Sequence, residues 1–242
     1  MIGFLLELLF KHINKGNVRP VRRNVRPIPK KKPERVPTEA EIEKREEEFY
    51  EAKSAWMETI LGQEYEMVMH AIIPYEVGGP VDVYMYPNHV DGTVLATKEM
   101  VSHGGQECLP FDGQFYEVAM AVKSKIDAAE DSEFSRSMVR CRKIMTMASR
   151  YSGSATLKSG DTVEVPMGDG EDNACALFWE VDKGKRTHIC GRPMTVQYII
   201  EVLRDEMEYA QRHGSENLIT LLKQQGIFPS SDLNRKSCLA TN

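Results

Sequence analysis

The residues able to do chemistry in this chain of 242 residues are scattered, and their spacing assembles no reactive set. His188 and Cys190 lie two apart in Thr187-His-Ile-Cys-Gly-Arg-Pro193, which on a strand places an imidazole and a thiol on one face. That pairing is the chemistry of a nucleophile and its base, and an enzyme built around Cys190 is one reading of it. Strand neighbours lack the third group that orients such a base, so ordinary packing is the simpler expectation. His70, His89, His103 and Cys108 offer nitrogen and sulfur without the ligand repeats of a zinc site. Gly168-Asp-Gly-Glu-Asp-Asn173 offers loop oxygens but not the glycine and closing glutamate of a calcium loop. Neither phosphate-cradling glycine motif occurs. No catalytic residue, cofactor or metal is expected. Asp82 stands apart because it interrupts the apolar run Val81–Tyr86. Its carboxylate either takes the outward face of an alternating strand or must find a donor.

The elements that must position these groups follow from periodicity and punctuation. Thr38-x-x-Glu41, just after Pro37, is a capping box, and Ile42, Phe49, Trp56, Ile60 and Leu61 form a stripe ending at Gly62. A charged helix over residues 38–62 is expected. Short β-rich runs then predict strands at Glu66–Pro74, Val81–Tyr86, Thr93–Thr97 and Phe115–Val122. Met138, Cys141, Ile144, Met145 and Ala148 share one face of a helix over Ser135–Tyr151. Further strands are expected around Thr162–Val165, Ala174–Val181 and Arg186–Cys190, and closing helices at Thr195–Arg212 and Ser215–Gln225. The order predicts an α+β fold, a mixed or antiparallel sheet covered by helices, as a domain over 63–232 with a tail at 233–242.

Charge divides the chain unevenly. Its formal net charge is −5, yet Lys11 to Arg35 holds ten Lys/Arg against one acid, a net +9. The other residues hold 21 basic against 35 acidic groups, a net −14. Pro20, Pro27, Pro29, Pro33 and Pro37 interrupt the basic stretch, so residues 14–37 read as an extended linker. No aromatic is interleaved to stack on bases, which argues against nucleic acid. Ahead of the linker, Ile2, Leu5, Leu6, Leu9 and Ile13 fit a short amphipathic helix over 1–13. Residues Ile2–Arg35 together suit docking on an anionic membrane surface, the alternative to a purely cytoplasmic protein. No apolar run approaches the ~18 residues of a membrane span. Five separated cysteines without a C-x-x-C pair fit a reducing cytoplasm.

Leu61-Gly62, then Val81-Asp-Val-Tyr-Met-Tyr-Pro87, Thr93-Val-Leu-Ala-Thr97 with Met100, and Tyr116-Glu117-Val118 follow one another in an order that resembles the suppressor-of-fused-like domain. Leu157-Lys-Ser-Gly-Asp-Thr162, Pro193-Met-Thr195 leading into a helix, Glu201, and Gly214 with Leu218, Leu221, Leu222, Gly226 and Ile227 extend the likeness across about Glu58 to Asp232. Of the family's usual Leu-Val-Thr-Ser-Gly-Met-Ser stretch, only Leu95, Thr97 and Met100 remain here. The resemblance implies a non-enzymatic module that binds other proteins. In the animal relative a peptide strand is accepted along the sheet, and many bacterial relatives look like immunity proteins that neutralise a toxin. A partner protein is therefore expected, and the acidic body suits a basic toxin. Asp82, Tyr84, Tyr116 and Glu117, on the runs Val81–Tyr86 and Phe115–Val122, are the expected rim of its binding surface. The oligomeric state is left open.

Overall fold

The computed structural model describes residues 35–105, 108–168 and 170–240. The helix expected over 1–13 and nearly all of the basic linker lie outside them. Pro37–Asn242 is one unit. Helix α1 (Glu39–Leu61) opens as its capping box requires: the Thr38 hydroxyl accepts from Glu41 N–H at 3.3 Å, and Glu41 Oε2 accepts from Thr38 N–H at 2.8 Å. Strands β1 (Tyr84–Tyr86), β2 (Thr93–Ala96) and β3 (Phe115–Val122) follow, then α2 (Glu133–Ser152), β4 (Thr162–Val165), β5 (Ala174–Glu180), β6 (Thr187–Ile189) and β7 (Arg192–Val202). Helices α3 (Arg204–His213) and α4 (Ser215–Gln224) close the fold.

The expected α+β class holds: the strands form one mixed sheet in the order β1-β2-β3-β7-β5-β4, with β6 added beside the start of β7. Every pairing is antiparallel except β3 with β7, which run parallel from Phe115↔Met194 to Ala119↔Tyr198. Alternate residues of β3 divide between two apolar clusters. Tyr116, Val118 and Met120 join the cluster that includes Ile144 and Met145 of α2; Ala119 and Ala121 join the one that includes Met57 of α1, Met207 of α3 and Leu218 of α4. Helices therefore cover both faces of the central strands. Beyond Ala119 the parallel pair is bridged by the chain after α4. Ser231 N–H donates to Ala121 O at 2.7 Å, and Ser231 Oγ accepts from Glu201 N–H at 3.0 Å.

Two expected elements differ. Thr195–Val202, expected as the start of a helix, is the greater part of β7. Its Thr, Val and Ile residues favour an extended chain, and burial on both faces removes the alternation that marks a strand. Glu66–Pro74 is not a strand; it meets the sheet through the bridge Met69↔Val83. Residues 233–240 pack on the body. Arg235 pairs with the fully buried Glu206, and Gln225 Nε2 donates to Cys238 O at 2.8 Å. Among the described residues, no helix is long and apolar enough to cross a membrane.

Candidate functional site

The β1 margin holds two of the expected rim residues. Asp82, just before β1, is half-buried and found its donors: Ala71 N–H at 2.7 Å and His70 Nδ1 at 2.6 Å. Burial pushes its carboxyl up, but these hydrogen bonds outweigh burial and hold it below the usual carboxylate range. Its own N–H donates to Glu99 Oε2 at 3.1 Å. Burial and the adjoining Asp82 charge push the Glu99 carboxyl up to about 7. Tyr84 is buried, accepts from the Tyr50 hydroxyl at 3.2 Å, and lies under Lys98 Nζ at 4.4 Å from the ring centroid. Burial, then the Tyr50 hydrogen bond, raises its phenol. β1 ends the sheet, but its outer backbone is occupied. Tyr65 N–H donates to Met85 O at 2.7 Å, and Met69 and Val83 exchange bonds of 3.0 and 3.1 Å.

Tyr116 and Glu117 lie elsewhere. β3 is an interior strand, paired with β2 on one side and β7 on the other, and both side chains are wholly buried. They are not at a rim, because helices close both faces above them. Glu117 instead anchors a polar knot. Lys53 Nζ of α1 donates to Glu117 Oε1 at 2.7 Å, to Val101 O at 2.6 Å and to Lys98 O. The Thr97 hydroxyl donates to Glu117 Oε2 at 2.8 Å and accepts from Val118 N–H at 3.1 Å. The N–H groups of Met100 and Val101 complete the shell at 3.2 and 3.3 Å. The retained Thr97 and Met100 thus both serve Glu117.

Cys190 sits in the two-residue turn between β6 and β7 with φ +48°, followed by Gly191 at +84°, so it does not share a strand face with His188. Cys108 is buried and donates to Tyr116 O at 3.6 Å; burial pushes its thiol up to about 12. Among the described residues no three His, Cys, Asp or Glu come together in a way that could hold a metal ion.

The sheet's other margin is different. β4 pairs with β5 on one side, and among the described residues no strand pairs with its outer side. Phe178 N–H and C=O both engage the residues leading into β4, so alternation turns Val163 and Val165 toward β5 and the backbone of Thr162 and Glu164 outward. A trough of about 500 Å³ runs beside this edge. Tyr151, Ala155, Leu157, Ala210, Gln211 and Ser215 line it together with Thr162 and Val163 of β4. Glu164 bonds Arg204 at 2.8 Å, a charged guard of the kind that keeps open edges from pairing indiscriminately. The short β-rich run Thr162–Val165 marked this strand in the sequence; nothing there marked it as the sheet's margin.

The chain belongs to the suppressor of fused protein (SUFU) family, whose sequence model matches residues 80–236. A chain of the Sufu–Fu complex crystal structure superposes with a TM-score of 0.55 at 13% identity, over 80% of this chain and 92% of that one. A SUFU homolog from Neisseria gonorrhoeae FA 1090 gives 0.48 at 15% identity, over 80% and 98%. Drosophila Suppressor of Fused gives 0.49 at 17%, over 74% of this chain and 46% of that one. No curated protein matches the chain in sequence.

Proposed function

We propose that this chain is a non-catalytic protein-binding module that accepts an extended peptide segment along β4. The observation that carries the reading is the unpaired outer edge of β4 beside its trough. Strand addition takes its affinity from such backbone groups and its specificity from pockets for alternate side chains. That one relative was crystallised as a Sufu–Fu complex supports a protein as the ligand. None of the expected rim residues lies on this edge: Asp82 and Tyr84 sit at the β1 margin, and Tyr116 and Glu117 are buried within β3.

The test is binding of a partner co-purified with the tagged full chain. Glu164→Pro removes an outward N–H and should weaken a saturable partner at least tenfold, while Glu164→Ala binds normally. Equal binding by both variants, or no saturable partner, would overturn the reading. The finer proposal is an immunity protein whose acidic body meets a basic toxin; it requires that co-expression protect a cell from a toxin encoded nearby. A second reading, a membrane-surface adaptor, rests on the apolar start and the ten basic residues between Lys11 and Arg35. Equal flotation of the full chain and a chain starting at Thr38 on anionic vesicles would sink it.

A further inference from the structure

The acidic composition of the folded body hides one surface of opposite character. Helix α2 carries Arg136, Val139, Lys143, Met147 and Arg150 at helical spacing; Arg136, Val139 and Arg150 are exposed, Lys143 and Met147 half-buried, and Val139 is 59% exposed although it is apolar. Against this face runs the loop before β1. Gly78 and Pro80 of that loop face Val139, Thr146 and Met147 across a groove of about 360 Å³. The same loop carries Ile72, which is fully exposed, Ile73 at 56% and Val77 at 73%. Single exposed apolar residues are commonplace; here Val139 lines the groove, and Ile72, Ile73 and Val77 lie on the segment leading to Gly78 and Pro80, which line it too.

The charges around the groove select the partner. Arg142, Lys143 and Arg150 line it, and among the described residues no carboxylate does. Arg142 Nε donates to Val81 O at 3.0 Å, and Arg150 donates to Gly78 O and, at 3.0 Å, to Gly79 O. Those bonds fix the loop and orient the guanidinium groups, but carbonyls do not cancel their charge. Lys143 alone has an ionic partner, Glu171 at 3.1 Å, and both side chains are solvent-accessible. An apolar floor flanked by two held guanidinium groups and the mobile end of Lys143 fits an apolar side chain flanked by carboxylates.

We propose that the groove between α2 and residues 72–80 is a second protein-binding surface, whose ligand is an acidic segment of a partner protein anchored by a leucine-, isoleucine- or phenylalanine-sized side chain. This rests on the protein-binding reading and deepens it. The two surfaces differ in what they recognise: β4 reads backbone, this groove reads side chains.

A random twelve-residue peptide library displayed on phage and selected on the immobilised full chain tests the proposal. The selected peptides should carry one or two large apolar residues flanked by Asp or Glu. Synthetic versions should lose at least tenfold in affinity against Val139→Glu and against Lys143→Glu, both surface changes that leave the thermal midpoint in place. Affinity should also fall as salt rises. Peptides that bind Val139→Glu and Lys143→Glu as tightly as the parent overturn the proposal. If those peptides are instead lost on Glu164→Pro, the groove proposal fails while the strand-acceptor reading stands. Flotation on anionic vesicles that is abolished by Ile72→Ser with Ile73→Ser, without any acidic peptide selected, would reassign the patch to a membrane and likewise overturn it.

Discussion

Removing the positive end of the buried Lys53–Glu117 pair should unfold the domain more readily than any single surface change. Lys53 is 1% exposed, and its ammonium lies among Glu117, Val101 O and Lys98 O. Glu117 is wholly buried and receives Thr97, Met100 and Val101 besides. In Lys53→Met the carboxylate keeps three neutral donors but loses its counter-charge, and breaking a buried pair this way costs about 3–5 kcal/mol. For a domain of this size each kcal/mol shifts the thermal midpoint by roughly 2–4 °C, so a fall of about 10 °C is expected. Glu117→Gln should cost a comparable amount by stranding the ammonium. Lys53→Met with Glu117→Gln should cost at least ~2 kcal/mol less than the two singles added, because no net charge is left inside. Urea unfolding followed by tryptophan fluorescence measures all four proteins, with Trp56 packed against both apolar clusters as the reporter. Single variants within ~1 kcal/mol of the parent, or strictly additive ones, would refute the claim that this pair ties α1 to the sheet.

Three further outcomes are expected. Glu99 titrates near 7 when folded and near 4.5 when not, so the folded protein holds the extra proton between those values and loses stability as pH rises through them. The full difference is worth about 3 kcal/mol, and screening at this half-exposed carboxyl reduces it to about 1.5. Glu99→Gln should flatten the melting temperature between pH 5 and 8, and a curve parallel to the parent's would contradict this. Arg235→Ala strands Glu206, which is wholly buried, and should cost about 3 kcal/mol in thermal unfolding; an unchanged midpoint would show residues 233–240 to be dispensable. Gly92 has φ +139°, and a Cβ there would lie 2.0 Å from Val122 O, so Gly92→Ala should cost upwards of ~2 kcal/mol by chemical denaturation. A neutral result would mean that the β1–β2 turn adapts.

Local signals in the sequence carried the fold a long way. The Thr38–Glu41 capping box places the start of α1, the stripe from Met138 to Ala148 places α2, and alternation with Gly and Pro punctuation finds most strands. β7 escaped because a strand covered on both faces reads as a solid apolar run, which over Thr195–Val202 merges with the helical pattern of α3. The binding surface was less legible for a related reason. Tyr116 and Glu117 look like a polar interruption of a strand, and only the long-range pairing of β3 with β7, together with α1 folding back over it, turns that interruption inward. For Asp82 the sequence leaves two outcomes, an outward strand face or a carboxylate with donors, and the donors His70 and Ala71 are brought to it by a segment whose extended spacing suggested a strand. Whether a strand ends a sheet depends on which others assemble around it, so neither the covered margin at β1 nor the open one at β4 has a signature of its own.

The parallel pairing of β3 with β7 also orders events in time. β1, β2 and β3 are near neighbours along the chain, whereas Met194–Tyr198 reaches β3 only after α2 and three further strands have been made. Local contacts close faster than distant ones. A growing polypeptide that pairs its local strands first therefore carries a three-stranded meander whose last strand, β3, has one bare flank until β7 emerges from the ribosome. During that interval the flank presents unpaired backbone groups, the kind of surface to which another extended chain adds unless β7 arrives first.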